Sequence, residues 1–115
     1  MTSLARAALL GLATLPPFTL PALAQSDEIT TVTYACERGA QVLASYINIG
    51  DRSLAVLTIE GRQLVLETVK SASGAKYVTT GDQPVHVWWT KGDGASFFAG
   101  KEEVGIYVDC LAVPG

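Results

Sequence analysis

Residues 53–68 read SLAVLTIEGRQLVLET, and whether this stretch is helix or strand decides the fold. It is apolar enough for a buried helix. Its β-branched residues and the central Glu60-Gly61 point instead to two strands, residues 53–59 and 62–68, joined by a two-residue turn. The same pattern continues in both directions. Toward the N-terminus lie residues 41–48, closed by Gly50-Asp51, and residues 30–36, rich in Thr, Val and Tyr. In that first run Val32, Tyr34 and Cys36 share a face by the period of two. Toward the C-terminus, residues 71–76 are small, polar and loop-like, and Gly81-Asp82-Gln83-Pro84 is a second break. Residues 85–90 alternate Val85, Val87 and Trp89 against His86, Trp88 and Thr90. After a glycine-flanked turn at 91–94 come residues 95–99 and 104–110, the last run placing Val104, Ile106, Val108 and Cys110 on one face. No helical period persists over ten residues. Seven or eight short strands with tight connections predict an all-β domain, an antiparallel barrel or sandwich.

The N-terminal segment has a different character. Arg6 precedes an apolar run over residues 7–15, and Ala22-Leu23-Ala24 is a small-x-small cleavage pattern. This is the layout of a secretory signal peptide over residues 1–24. Pro16, Pro17 and Pro21 interrupt the apolar run, which falls short of the ~20 residues of a membrane span. Gln25 follows the cut where a lipidated chain would carry a cysteine. An exported domain of residues 25–115 without a membrane anchor is therefore expected. So small a domain buries limited surface and often needs a covalent staple. Cys36 and Cys110 are the two cysteines, and an even pair in an exported chain reads as a disulfide.

Composition narrows the function classes. Loss of Arg6 leaves seven basic against eleven acidic residues, a net charge of −4. That balance disfavours nucleic acid, whose phosphates need basic patches, and favours a basic partner. His86 is the single histidine, so a metal site is poorly supplied and no cofactor is expected. A Ser-His-Asp arrangement would have to use His86, which sits within an aromatic strand. Asp93, Glu102 and Glu103 lie in turn-like segments and read as solvated charges rather than a hydrolytic carboxylate pair. Both cysteines are spent on the bridge. No catalytic residues are expected.

Two loops stand apart. Ser71-Ala72-Ser73-Gly74-Ala75-Lys76-Tyr77 is built of small residues, with Gly74 permitting a sharp turn and close approach to a partner. Trp88-Trp89-Thr90-Lys91-Gly92-Asp93-Gly94-Ala95 sets aromatic bulk beside a cation on a glycine turn. One of its tryptophans can pack in the core or brace the neighbouring loop, and Lys91 projects an ammonium with three donors.

Taken in order, these loops resemble the c-type lysozyme inhibitor family known as MliC/PliC. That family's SGxxY and WxKGxxA segments are matched by Ser73 to Tyr77 and by Trp89 to Ala95. Tyr34-Ala35-Cys36 matches its opening YxC element, and Cys110 its closing cysteine. The resemblance implies an eight-stranded antiparallel barrel in the soluble periplasmic branch, with a c-type lysozyme as its protein partner. It implies that Ser73 and Lys91 reach the enzyme's catalytic carboxylates, with Gly74, Tyr77 and Gly92 forming the loops that carry them. One departure is Gly81-Asp82-Gln83-Pro84, which lengthens the stretch between the motifs and is expected to alter the distance between them. A different binding module remains as an alternative: an envelope ligand held in a concave site by Trp88, Trp89, Phe97 and Phe98.

Overall fold

The computed structural model describes residues 27–114; the expected signal peptide lies outside them. Eight strands run in sequence: β1 (Glu28–Ala35), β2 (Gln41–Ile49), β3 (Arg52–Ile59), β4 (Arg62–Val69), β5 (Ala75–Thr79), β6 (His86–Lys91), β7 (Gly94–Ala99) and β8 (Val104–Ala112). Each is antiparallel to the next, and β8 returns to β1 to close a barrel. The stretch at 53–68 is the hairpin β3–β4, with Ile59 opposite Arg62. Glu60 and Gly61 both have positive φ, 52° and 77°, the backbone twist that matches a two-residue hairpin turn to its strands.

Closure is brief. Only Tyr34 with Ala112 and Ala35 with Leu111 pair across β1 and β8. Cys36 and Cys110 stand at the next position of that register and are bonded, with Cα atoms 4.0 Å apart. The disulfide thus serves as the third rung of the closing ladder.

An eight-stranded barrel encloses just enough room for its own side chains. Here the interior is a ring cluster. Trp88 is fully buried and donates its indole N–H to the Tyr46 hydroxyl at 2.8 Å. The Tyr46 and Tyr34 hydroxyls lie 2.7 Å apart, and the Tyr34 ring meets Trp88 edge-on at 5.1 Å. Ala44, Ala55 and Ala95 are inward small residues around these rings, and Val42, Leu57, Leu66 and Phe97 complete the core. Each buried hydroxyl and indole has a partner, which is what burial of polar groups requires.

Two expectations need correction. The segment taken as loop through residue 76 becomes strand at Ala75, because β5 pairs on both sides: Lys76 lies opposite Val69 of β4 and also opposite Trp89 of β6. In β8 the single apolar face does not exist. The register with β7 shifts twice: between the Ala95–Cys110 and Phe97–Tyr107 pairs Ser96 opposes both Val108 and Asp109, and a second shift follows before Phe98 pairs with Gly105. These irregularities, with Asp109 at φ 57° in the first, interrupt the alternation along β8. Val104 and Ile106 are exposed, while Cys110 is buried.

Candidate functional site

The two singled-out loops meet because of the β5–β6 hairpin. Residues 70–74 lead into β5, and Lys91 ends β6. Ala75 lies opposite Thr90, so Ser73 and Lys91 emerge side by side at the open end of this hairpin. Gly92 follows Lys91 at φ 57° and turns the chain into β7. Ser73, Gly74, Lys91 and Gly92 are all exposed.

Alternation assigns the tryptophans different tasks. Trp88 points into the barrel, so Trp89 points out. The Trp89 indole N–H donates to the Ser73 carbonyl at 2.9 Å. The Lys91 ammonium lies 5.2 Å from the Trp89 ring centroid, within cation–π range. One indole thus positions the main chain of the first loop and the charge of the second. Within the first loop, the Ser71 hydroxyl reaches the carbonyls of Ser73 and Gly74 at 3.0 and 3.2 Å.

Gly74 is where the loops touch. It has φ +67°, and a Cβ there would overlap the Thr90 carbonyl and come within 2.7 Å of Lys91 Cγ. The absence of a side chain lets the Ser73 loop lie directly on the end of β6.

Tyr77 stands apart from these four. Its side chain is 8 % exposed and joins the core, its ring 5.7 Å from that of Tyr46. Burial pushes its hydroxyl pKa up, and a hydrogen bond with Thr68 works the other way. It acts on the first loop from inside, through the strand that carries it. Burial likewise drives the Tyr46 pKa up, far beyond the ordinary tyrosine range.

Gly81-Asp82-Gln83-Pro84 does not separate the motifs. The segment forms the connection at the opposite end of the β5–β6 hairpin from Ser73 and Lys91. The Gln83 amide accepts from the Val65 N–H at 3.0 Å and donates to the Val65 carbonyl at 2.9 Å, so this connection is tied back to β4. The distance between the loops is set by strand pairing instead.

Two residues that the motifs do not single out, Lys76 and Glu103, border the candidate site. Lys76 was only a variable position within a motif, and Glu103 a turn charge. Their side chains form an ion pair at 2.7 Å, and the Lys76 ammonium also sits 4.8 Å from the Trp89 ring centroid. Recognition of β5 would have revealed the link, since Lys76 and Trp89 are directly paired. His86 is packed against Phe97, ring centroids 5.0 Å apart and nearly parallel. On the outer face beside Lys91, a groove of about 490 Å³ is lined by Trp89, Ser96, Phe98, Asp109 and Leu111 among others.

The family model for the membrane-bound lysozyme-inhibitor of c-type lysozyme, MliC, matches residues 34–104. This chain belongs to the MliC family. Two curated relatives are named membrane-bound lysozyme inhibitor of C-type lysozyme. The one from Pseudomonas aeruginosa is 41% identical over 80 residues, 69% of this chain and 59% of that protein. The one from Cupriavidus necator is 35% identical over 66 residues, 57% of this chain and 50% of that protein. The chain thus spans between half and three-fifths of these relatives' length. Among solved structures, the MliC-like barrel matches PliC-St, the periplasmic lysozyme inhibitor of C-type lysozyme from Salmonella typhimurium. That likeness is one of fold, with a TM-score of 0.68 at 22% identity, covering 76% of this chain and 100% of the other. Pseudomonas aeruginosa MliC in complex with hen egg white lysozyme matches with a TM-score of 0.60 at 35% identity, covering 90% of this chain and 100% of the other.

Proposed function

We propose that this MliC-family protein inhibits c-type lysozyme by placing the Ser73 loop and the Lys91 side chain in the enzyme's active-site cleft. The observation that carries this reading is the joint hold of Trp89 on the Ser73 carbonyl and the Lys91 ammonium. It presents a hydroxyl and a cation together at one exposed end of the barrel. Lysozyme works with two carboxyl groups, one protonated and one ionised. The Ser73 hydroxyl can donate to one and accept from it, and Lys91 can place its charge beside the ionised partner. Enclosure in the cleft strengthens both contacts. C-type lysozymes are usually basic, so the acidic balance of this chain favours fast encounter that weakens with salt. On this reading residues 1–24 direct export and the domain acts in the periplasm without an anchor.

The test is a titration of the oxidised protein against a c-type lysozyme clearing a cell-wall suspension. Loss of clearing near stoichiometric amounts supports the proposal. A folded sample that leaves several c-type lysozymes fully active removes it. The groove beside Lys91 favours the second reading, a bound envelope ligand stacked on Trp89 and Phe98. The core position of Trp88 and Phe97 leaves that reading only half of its four aromatic residues.

A further inference from the structure

The Trp89 indole has two ammonium groups near it, Lys76 at 4.8 Å and Lys91 at 5.2 Å from its centroid. Two like charges beside one ring repel unless one is neutralised. Glu103, from the turn between β7 and β8, bonds the Lys76 ammonium at 2.7 Å, with side-chain exposures of only 20% for Lys76 and 33% for Glu103. Among the described residues, no carboxylate pairs with Lys91. The Lys76 side chain, starting from β5, thus meets both Trp89 of β6 and the β7–β8 turn.

We propose that Lys76 and Glu103 are positioning residues for lysozyme binding. Their ion pair clamps Trp89, and it absorbs the charge of Lys76 so that Lys91 is left as the one free cation of the site. The proposal rests on the reading of the chain as a lysozyme inhibitor and adds to it. Neither residue needs to touch the enzyme. A fixed indole keeps the Ser73 carbonyl bonded and the first loop in its binding shape, so less ordering is left to be done on association. Loss of Glu103 releases Lys76, sets its charge against Lys91, and loosens the indole.

The experiment uses Glu103→Gln, Lys76→Met, the double variant and Lys76→Arg, each with two readouts. The first is the lysozyme titration. Glu103→Gln is expected to inhibit about three- to tenfold more weakly. The double variant is expected to be no worse than Lys76→Met alone, because the two residues act as one unit. Lys76→Arg keeps charge, pairing and stacking, and is expected to inhibit like the wild type. The second readout needs no lysozyme: hydrogen exchange of the two indole N–H groups by NMR. Trp89, bonded to Ser73, is expected to exchange faster in Glu103→Gln. Trp88, bonded to Tyr46 inside the barrel, serves as the control and is expected to stay protected. Equal inhibition by Glu103→Gln and wild type, or unchanged Trp89 exchange, overturns the proposal. Faster exchange at both indoles also overturns it, since that marks general loosening. A wild type that does not inhibit at all removes the functional reading and this proposal together; a wild type that inhibits beside an equally active Glu103→Gln removes this proposal alone.

Discussion

Trp89 donates its indole N–H to the carbonyl of Ser73, 16 residues earlier in the chain, at 2.9 Å. The bond links the two motifs through a side chain that need not contact a partner. Trp89→Phe keeps the aromatic face and removes the donor. A net hydrogen bond of this kind contributes about 1 kcal/mol, so inhibition is expected to weaken roughly three- to tenfold with an unchanged far-UV circular dichroism spectrum. Inhibition equal to wild type in the titration would show that the loop holds its shape without this bond.

Lys91→Ala removes the free ammonium. Truncating one partner of a buried charged pair costs about 2–5 kcal/mol, or about 30-fold to several thousand-fold in affinity. Ser73→Ala removes one neutral donor and is expected to cost less, about 1–3 kcal/mol. Calorimetric titration against a c-type lysozyme measures both. Wild-type affinity in both folded variants sinks the two-loop mechanism.

Gly74→Ala places a methyl group against the Thr90 carbonyl at a φ of +67°. The loop must lift from β6, at a strain of about 1–3 kcal/mol. Inhibition and melting temperature are expected to fall together. Gly92→Ala, by contrast, meets no atom within 4 Å and bears only the conformational cost of φ 57°. A Gly74→Ala protein that binds as well as wild type would mean the close approach to Thr90 is dispensable.

Opening the Cys36–Cys110 bond releases a crosslink across a sequence separation of 74. The chain-entropy estimate for such a loop is about 4 kcal/mol. For a domain of this size that corresponds to a fall in melting temperature of roughly 15–30 °C. Thermal melts with and without reductant give the value, and overlapping melts would contradict it.

Alkaline pH offers a further check. Burial raises the pKa of Tyr46 and that of Tyr77 above the ordinary tyrosine value. A tyrosine pKa that is higher in the folded than in the unfolded state contributes stability that is full below the unfolded value. That contribution is lost as the pH rises past it. Denaturant midpoints are expected to hold up to about pH 10 and to fall above it. Tyrosinate absorbance of these residues should appear with unfolding. Ionisation at an ordinary pH in the intact barrel would contradict the buried ring cluster.

Much of this was legible in the sequence because period-two alternation and turn chemistry are local. Glu60-Gly61 announces its hairpin, and the strands around it follow to within one or two residues. The β5 strand was not legible: five residues with no clean alternation become strand only through neighbours on both sides. The β8 irregularities were hidden for a similar reason, since an interrupted alternation at Asp109 depends on how β7 is paired. At the candidate site, the motif spelling singles out Ser73 and Lys91 but not what holds them. Lys76 and Glu103 are 27 residues apart, and nothing in their local sequence links them.

The barrel's connectivity also bears on how the chain folds. Seven of the eight ladders join strands adjacent in sequence, so each hairpin can zip onto the last with little loop entropy to overcome. Only the β1–β8 seam spans the domain, and it has two residue pairs. Cys36 and Cys110 stand at the next position of that seam, so their bond crosslinks the ladder with the fewest pairs. The disulfide therefore acts as a latch on the barrel's shortest seam.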